Sequence, residues 1–435
     1  MRYTNINNKL FIENRKRLKT KLKKNSIAVF NANDIQPTNA DGTMPFKQNK
    51  DLFYLSGIDQ EETILLIFPD APDKEHTEVL FIRETNEHIA IWEGEKLSKE
   101  QATKNSGIQK VYWTHQFKQI FTSLIFEAEN IYINSNEHVR SSNEVQTRDE
   151  RFLEMCKKNY PLHNYLRSAP IMYDLRAIKS DLEIELIQKA CDLTEKGFRR
   201  LLGFVKPGIW EFEIEAELAH EFIRHGAGFA GYEPIIASGK NSCVLHYMIN
   251  DKKCNDGDVL LMDFAAGYAN YQSDLTRTIP VNGKFTKRQK NVYEAVLRVM
   301  KFATSRLVIG NNIPDYHKEV GAAMEEELLK LKLINKTQIK NQDPNCPAYK
   351  KYFMHGTSHY LGLDVHDVGS RYRKFEAGMV YTCEPGIYIP EEGIGVRIEN
   401  DIVITKKGPN DLMKNIPREV EEIEMLMKTS IRSAK

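Results

Sequence analysis

Residues 355–399 constrain this chain more than any other stretch. They read HGTSHYLGLDVHDVG from His355 and YTCEPGIYIPEEGIGVRIEN from Tyr381, which sets His355, His359, His366, Glu384, Arg397 and Glu399 at fixed intervals. Transition metals accept imidazole nitrogen and carboxylate oxygen together, and a metal pair needs carboxylates that can span both ions. This segment offers both kinds of donor.

A second segment supplies the rest of such a set. Residues 259–263 (VLLMD) form a buried-strand pattern, and 273–280 (SDLTRTIP) reads as its antiparallel partner across a turn containing Gly267 and Asn270. With the loop centred on Tyr268 and Ala269, Asp263 falls opposite Asp274. Directly opposed residues on one face have Cβ atoms about 4.5–5.5 Å apart. Two bare carboxylates there repel, and one takes a proton unless cations sit between them. In the other hairpin, a loop centred on Glu391 and Glu392 sets Glu384 opposite Glu399. Two carboxylate pairs and the His359 imidazole suit two divalent ions about 3.5 Å apart with a bridging hydroxide. His246 (in SCVLHY), His355 and His366 fall outside the metal set. Histidine changes charge near neutral pH, so acid/base or substrate-orienting roles are expected of them. His138, His220 and His225 read as core histidines. Arg397, two residues before Glu399 on the same strand face, is placed to orient a carboxylate.

At 435 residues the chain exceeds one ordinary core, so two domains are expected. Apolar content of 41% with 28% charged residues is that of a globular protein. The 61 basic and 60 acidic residues leave a formal charge of +1, which argues against a dedicated nucleic-acid or acidic-membrane partner. No 18-residue apolar run and no secretory-type apolar segment is evident, and Cys156, Cys191, Cys243, Cys254, Cys346 and Cys383 follow no framework spacing. These features predict a cytoplasmic protein with reduced thiols.

Along the chain, the basic stretch 9–24 predicts a first helix with Leu10, Phe11, Leu18 and Leu22 turned inward. Strands are expected at 26–31, 63–68 and 78–83 in a mixed α/β domain. Residues 39–57 read as a polar loop running into an aromatic segment, and 127–158 as exposed helix or loop. The texture changes near 174, and the boundary is drawn between 1–173 and 174–435. Ser180 and Glu183 form a capping box for a helix that Lys206-Pro207-Gly208 stops. A second helix, 211–225, ends at Gly226. Two helix-then-hairpin units follow one another, 174–283 and 288–405.

Taken in succession, RAIKSDLEIELIQKA, SGKNSCVLHY, DLTRT, HGTSHYLGLDVHDVG, TCEPGIYI and RIENDIVIT resemble the dinuclear metallopeptidases of the pita-bread fold, a family that includes aminopeptidase P, prolidase, methionine aminopeptidase and creatinase. The resemblance implies an α+β architecture: a pita-bread catalytic domain preceded by a smaller creatinase-type α/β domain. It implies Asp263, Asp274, His359, Glu384 and Glu399 as metal ligands, with Asp274 and Glu399 bridging and Glu384 also serving as base. His246, His355 and His366 match substrate-contacting histidines, and Arg397 and Tyr388 match supporting positions. Asp41, Pro45, Phe46 and FYLSG, with IWEGEKL around Trp92, are similar to the amino-terminal domain of bacterial aminopeptidase P. There the equivalent tryptophan can reach a neighbouring subunit's site, which implies a homodimer or homotetramer, with Asp41 and Trp92 near substrate.

The implied activity is hydrolysis of the N-terminal Xaa-Pro bond of peptides with proline second. That bond is a tertiary amide without an N–H for ordinary peptidases to hold. The alternatives are an Xaa-Pro dipeptidase and a non-catalytic binding module. Oxygen-rich donors favour Mn²⁺, although Zn²⁺ or Co²⁺ can compete. Ala265 and Asn270 replace glycines usual in the family, and asparagine tolerates the left-handed geometry of a turn.

Overall fold

The computed structural model describes residues 3–141 and 144–433. The chain divides into two units, Tyr3–Arg176 and Ala177–Lys435.

The first unit contains strands β1 (Ser26–Asn31), β2 (Ile64–Ile67), β3 (Glu78–Ile82), β4 (Lys110–Trp113), β5 (Asn130–Ile133) and β6 (Asn164–Arg167). They form one sheet in the order β4-β3-β2-β1-β5-β6. β1 lies inside it, antiparallel to β2 and parallel to β5. All six of its residues are therefore buried, and its sequence lacks polar alternation. Ile27, Val29 and Ile131 pack with Phe121 and Phe152, which come from the helices Phe117–Ile125 and Arg148–Asn159.

Two expectations need correcting here. Residues 39–57 contain a helix, Lys50–Ser56, whose N-cap Asn49 accepts from the N–H groups of Asp51 and Leu52; Gly57 closes it at φ 67°. Residues 127–158 contain the buried β5 and a helix opened by a Thr147–Glu150 capping box. A four-residue strand is too short for periodicity to reveal. The first helix, Lys9–Lys19, does bury Leu10, Phe11 and Leu18, but Leu22 falls beyond its end and is half-buried. It also buries Arg15, 2.8 Å from the Glu78 carboxylate.

The second unit repeats one plan. The helices Asp181–Phe204 and Glu211–Arg224 precede a first hairpin, and Lys287–Arg306 and Ile313–Lys330 precede a second. The Glu183 carboxylate accepts from both the N–H and the Oγ of Ser180 at 2.9 Å, closing the expected capping box. The strands of the first half are β7 (Gly228–Phe229), β8 (Ile235–Ser238), β9 (Val259–Asp263), β10 (Ala266–Tyr268), β11 (Tyr271–Gln272) and β12 (Thr276–Pro280). Those of the second are β13 (Val380–Cys383), β14 (Gly386–Ile389), β15 (Ile394–Arg397), β16 (Asn400–Thr405) and β17 (Gly408–Asp411). They make sheets β12-β9-β8, β11-β10-β7, β13-β16-β17 and β14-β15.

The second hairpin has the expected register: Cys383 pairs with Asn400 and Gly386 with Arg397, so Glu384 and Glu399 face each other in the break between two ladders. The first hairpin does not. Asp263 pairs with Thr276, and Asp274 lies in the gap between β11 and β12. The turn residues with positive φ are Ala269 (51°) and Asn270 (68°), so the turn sits one residue later than expected. The slip of two positions keeps both aspartates on the same face.

The expected core histidines are not core: His220 is exposed, and His138 and His225 are half-buried. Among the described residues no helix is long and apolar enough to cross a membrane, and all six cysteines are free.

Candidate active site

The two hairpins are stitched to each other where their ladders break. The Glu399 N–H donates to the Thr276 carbonyl at 3.0 Å, and the Arg397 N–H donates to Thr278 Oγ1 at 3.2 Å. Arg277 is fully buried and donates to the Glu399 carbonyl at 2.6 Å and to Asn400 Oδ1 at 2.7 Å. Asp263, Asp274, Glu384 and Glu399 thereby come to one place, and residues 355–359 bring His359 to them.

Ligand atoms of Asp274, His359 and Glu399 all lie within 4.8 Å of one another. His359 Nε2 is 3.5 Å from Asp274 Oδ2 and 3.6 Å from Glu384 Oε1. Its Nδ1 lies 2.9 Å from the Tyr360 carbonyl oxygen. A carbonyl can only accept, so in the neutral ring Nδ1 carries the proton and Nε2 turns its lone pair to the carboxylates.

The electrostatics describe a site short of positive charge. Burial raises Glu384 to about 7 and pushes Asp263 up and Glu399 well up from the usual carboxylate range. Burial works against a charged His359, yet Asp274 and Glu384 win and raise it to about 9. A proton on His359 stands where a cation would. Glu399 Oε1 is buried without a hydrogen-bond partner. Four clustered carboxylates, one imidazole and an unpartnered buried oxygen fit divalent cations with oxygen-rich coordination.

Behind the carboxylates runs a chain of hydrogen bonds. Arg397 Nη2 donates to Asp263 Oδ2 at 2.6 Å, and its Nη1 donates to Tyr388 Oη at 2.8 Å. Tyr388 Oη is 2.8 Å from His355 Nε2. His355 Nδ1 lies 2.7 Å from the Gly356 carbonyl and must donate to it, which leaves Nε2 to accept the Tyr388 hydroxyl proton. Burial, and then Arg397, hold His355 down to about 3, so the ring is neutral. Its Nδ1 is 3.7 Å from Glu384 Oε2. His366 is exposed, with its ring edge-on to His359 at 4.3 Å between centroids. His246 is exposed on residues 244–249. Asp41 and Trp92 belong to the first unit. Asp41 lies in an exposed bend, and Trp92 is 77% exposed on the helix Glu87–Glu93.

Sequence reasoning missed two contributors. The Tyr232 hydroxyl lies 2.8 Å from Asp263 Oδ1 and 2.6 Å from Asp274 Oδ1, bridging the carboxylates of the first hairpin. Thr276 Oγ1 donates to Glu399 Oε2 at 2.7 Å and accepts from Arg397 Nε at 3.0 Å. Tyr232 follows no spacing relative to either aspartate; Thr276 could have been found by moving the turn one residue.

The description "Metallopeptidase family M24" matches residues 185–406, and "Aminopeptidase P, N-terminal domain" matches residues 11–132. The chain is 35% identical over 432 residues to the Xaa-Pro aminopeptidase of Haemophilus influenzae, covering 96% of each. It is 34% identical to that of Escherichia coli, covering 97% of this chain and 98% of the relative. Among solved structures, a glutamate-to-alanine variant of E. coli aminopeptidase P in complex with substrate aligns with a TM-score of 0.89 at 31% identity, over 99% of this chain and all of that one. A zinc-substituted form of the E. coli enzyme with product aligns at 0.88 and 32% identity, over 98% of this chain and 99% of that one. This chain belongs to metallopeptidase family M24 and has the pita-bread fold behind an aminopeptidase P-type N-terminal domain.

Proposed function

We propose that the chain is a metal-dependent aminopeptidase that hydrolyses the bond between an N-terminal residue and a following proline. The carrying observation is the convergence of Asp263, Asp274, His359, Glu384 and Glu399 on one buried place, in a chain similar over its whole length to Xaa-Pro aminopeptidases.

Those five residues would hold two divalent ions, with Asp274, His359 and Glu399 at the centre of the set. The oxygen-rich donor set favours manganese. When bound, such a pair supplies Lewis acidity and a nucleophile drawn from water near neutral pH. Glu384, which faces both His355 and His359, is suited to take a proton from the nucleophile and return it to the proline nitrogen. Arg397 and Tyr388 hold Asp263 on one side and His355 on the other. Neutral His355 lines the substrate side with its one N–H held by the Gly356 carbonyl, and the ring N–H groups of His246 and His366 can donate to the scissile carbonyl as it gains charge. Asp41 and Trp92 are assigned to substrate binding in a homodimer or homotetramer, and the cytoplasm is the expected compartment. The exposure of Trp92 and its neighbour Ile91 accords with a subunit contact.

The test offers the Mn²⁺-loaded protein an Xaa-Pro dipeptide and an Xaa-Pro-Yaa-Zaa peptide, with a chelated control. Chelator-sensitive release of the first residue from the longer peptide is expected. Cleavage of the dipeptide alone would make the protein a dipeptidase, and cleavage of neither would leave a binding module.

A further inference from the structure

Outside the hydrogen-bond network already described lies an ion pair with no role yet. Lys179 Nζ is 3.0 Å from Asp367 Oδ2, and both side chains are 1% exposed. Lys179 precedes the helix Asp181–Phe204, and its backbone N–H donates to the Gly378 carbonyl at 2.8 Å. Asp367 is 188 residues away and directly follows His366. Its own N–H donates to the Tyr360 carbonyl at 2.9 Å, so the turn from His359 to Asp367 closes on itself. The pair fills the inside of that turn. A Cβ on Gly362 would collide with the Asp367 carboxylate and come within 2.8 Å of Lys179 Cε, so only glycine leaves the pair room. Gln272 holds the other side of the turn, donating from its N–H to the Gly362 carbonyl at 2.8 Å.

A buried ion pair is a poor source of stability, because an apolar pair of like volume does as well or better. What it provides is a fixed distance between two backbones. One end here is the pinned backbone of residue 179; the other is the residue beside His366, whose ring stands edge-on to His359. We infer that Lys179 and Asp367 are positioning residues that set where His366 meets the substrate, an inference that rests on reading His366 as a substrate-facing group. The ion pair acts through His366 and touches no reacting atom.

The test is a cycle built on K179M/D367L, an apolar replacement of similar size that leaves no buried charge behind. Cleavage of the Xaa-Pro-Yaa-Zaa peptide is measured for wild type, K179M/D367L, H366A and the triple variant. The expected result is a kcat/KM about 10- to 100-fold lower in K179M/D367L, the scale of a displacement of order 1 Å. Bound manganese and thermal stability should stay close to wild type. In the H366A background the same replacement should cost little more. Losses that multiply would overturn the inference, as would an H366A variant as active as wild type. A second readout needs no turnover: in protein labelled with ¹³C-histidine, K179M/D367L should move the His366 ring resonances and leave those of His138, in the first unit, in place. Unmoved His366 resonances would overturn the inference. Should wild type cleave no Xaa-Pro peptide, the proposed function falls while these resonances still decide the role of the ion pair. D367N gives a second route if the double replacement does not fold.

Discussion

The two hairpins of the second unit look like copies, yet they hold their carboxylates differently. In the second, Glu384 and Glu399 oppose each other in the gap between two ladders. In the first, Asp263 ends β9 opposite Thr276, and Asp274 sits alone in the gap. The first pair needs outside support, from the Tyr232 hydroxyl across both and from Arg397 on Asp263. Glu384 instead faces the imidazoles of His355 and His359. Rigid, cross-braced carboxylates are suited to holding cations, and a carboxylate beside two imidazoles is suited to moving protons. The difference fits a division of labour in which Asp263, Asp274 and the buried Glu399 are suited to gripping and Glu384 to reacting.

The sharpest way to break that division is Glu384→Gln. The amide keeps the shape and cannot take a proton, so kcat should fall by about 10²- to 10⁴-fold, the usual weight of general acid–base catalysis. Circular dichroism and thermal unfolding should stay near wild type. Retained turnover would remove Glu384 from the chemistry. Next in size is Tyr232→Phe. Losing the hydroxyl between Asp263 and Asp274 should weaken metal affinity or activity by about 10- to 100-fold. Metal titration against a competing chelator separates the two, and the loss should appear in affinity first. An equal loss of kcat at saturating metal would deny the first hairpin its merely gripping role.

Legibility followed the reach of each interaction along the chain. The carboxylates of the second hairpin could be read because period-two strands and a Pro-Glu-Glu-Gly turn define the register locally. The first hairpin misled because Ala269 is an uncommon residue at positive φ, so nothing marked the turn as centred on it and Asn270. The helices announced themselves through capping boxes at Ser180 and Thr147, although the latter was passed over in a charged stretch. Tyr232 and the Lys179–Asp367 pair were invisible for one common reason. Each acts on a partner set by tertiary packing, 31 to 188 residues away, where no spacing rule applies.

Thr276→Val tests the seam between the hairpins. Valine keeps the volume but withdraws the donor to Glu399 Oε2 and the acceptor for Arg397 Nε, both buried. Groups left unsatisfied in that way cost about 1–3 kcal/mol. The urea midpoint should fall accordingly, with the m-value unchanged.

The last effect concerns what stands behind the second hairpin. His317, on the helix Ile313–Lys330, accepts the Thr357 N–H at Nε2 (3.2 Å), and the Thr357 carbonyl accepts the Glu384 N–H at 2.8 Å. The second hairpin is thus braced through a histidine that must stay neutral to accept. Burial, helped by Lys350 and Arg371, holds His317 down to about 4, against an ordinary value near 6.5. Between those values the unfolded chain binds a proton that the native state refuses, so stability rises with pH across the window. The contribution is complete above about pH 6.5 and is lost as pH falls towards 4. It amounts to at most about 3 kcal/mol, since His317 keeps partial exposure. His317→Gln presents an amide oxygen to the same N–H and cannot titrate. Its stability should therefore fall less between pH 7 and pH 4.5 than that of wild type, as measured by urea midpoints at both pH values. If the two proteins lose stability in parallel, His317 is no acid-sensitive brace, and the second hairpin would be held as rigidly as the first.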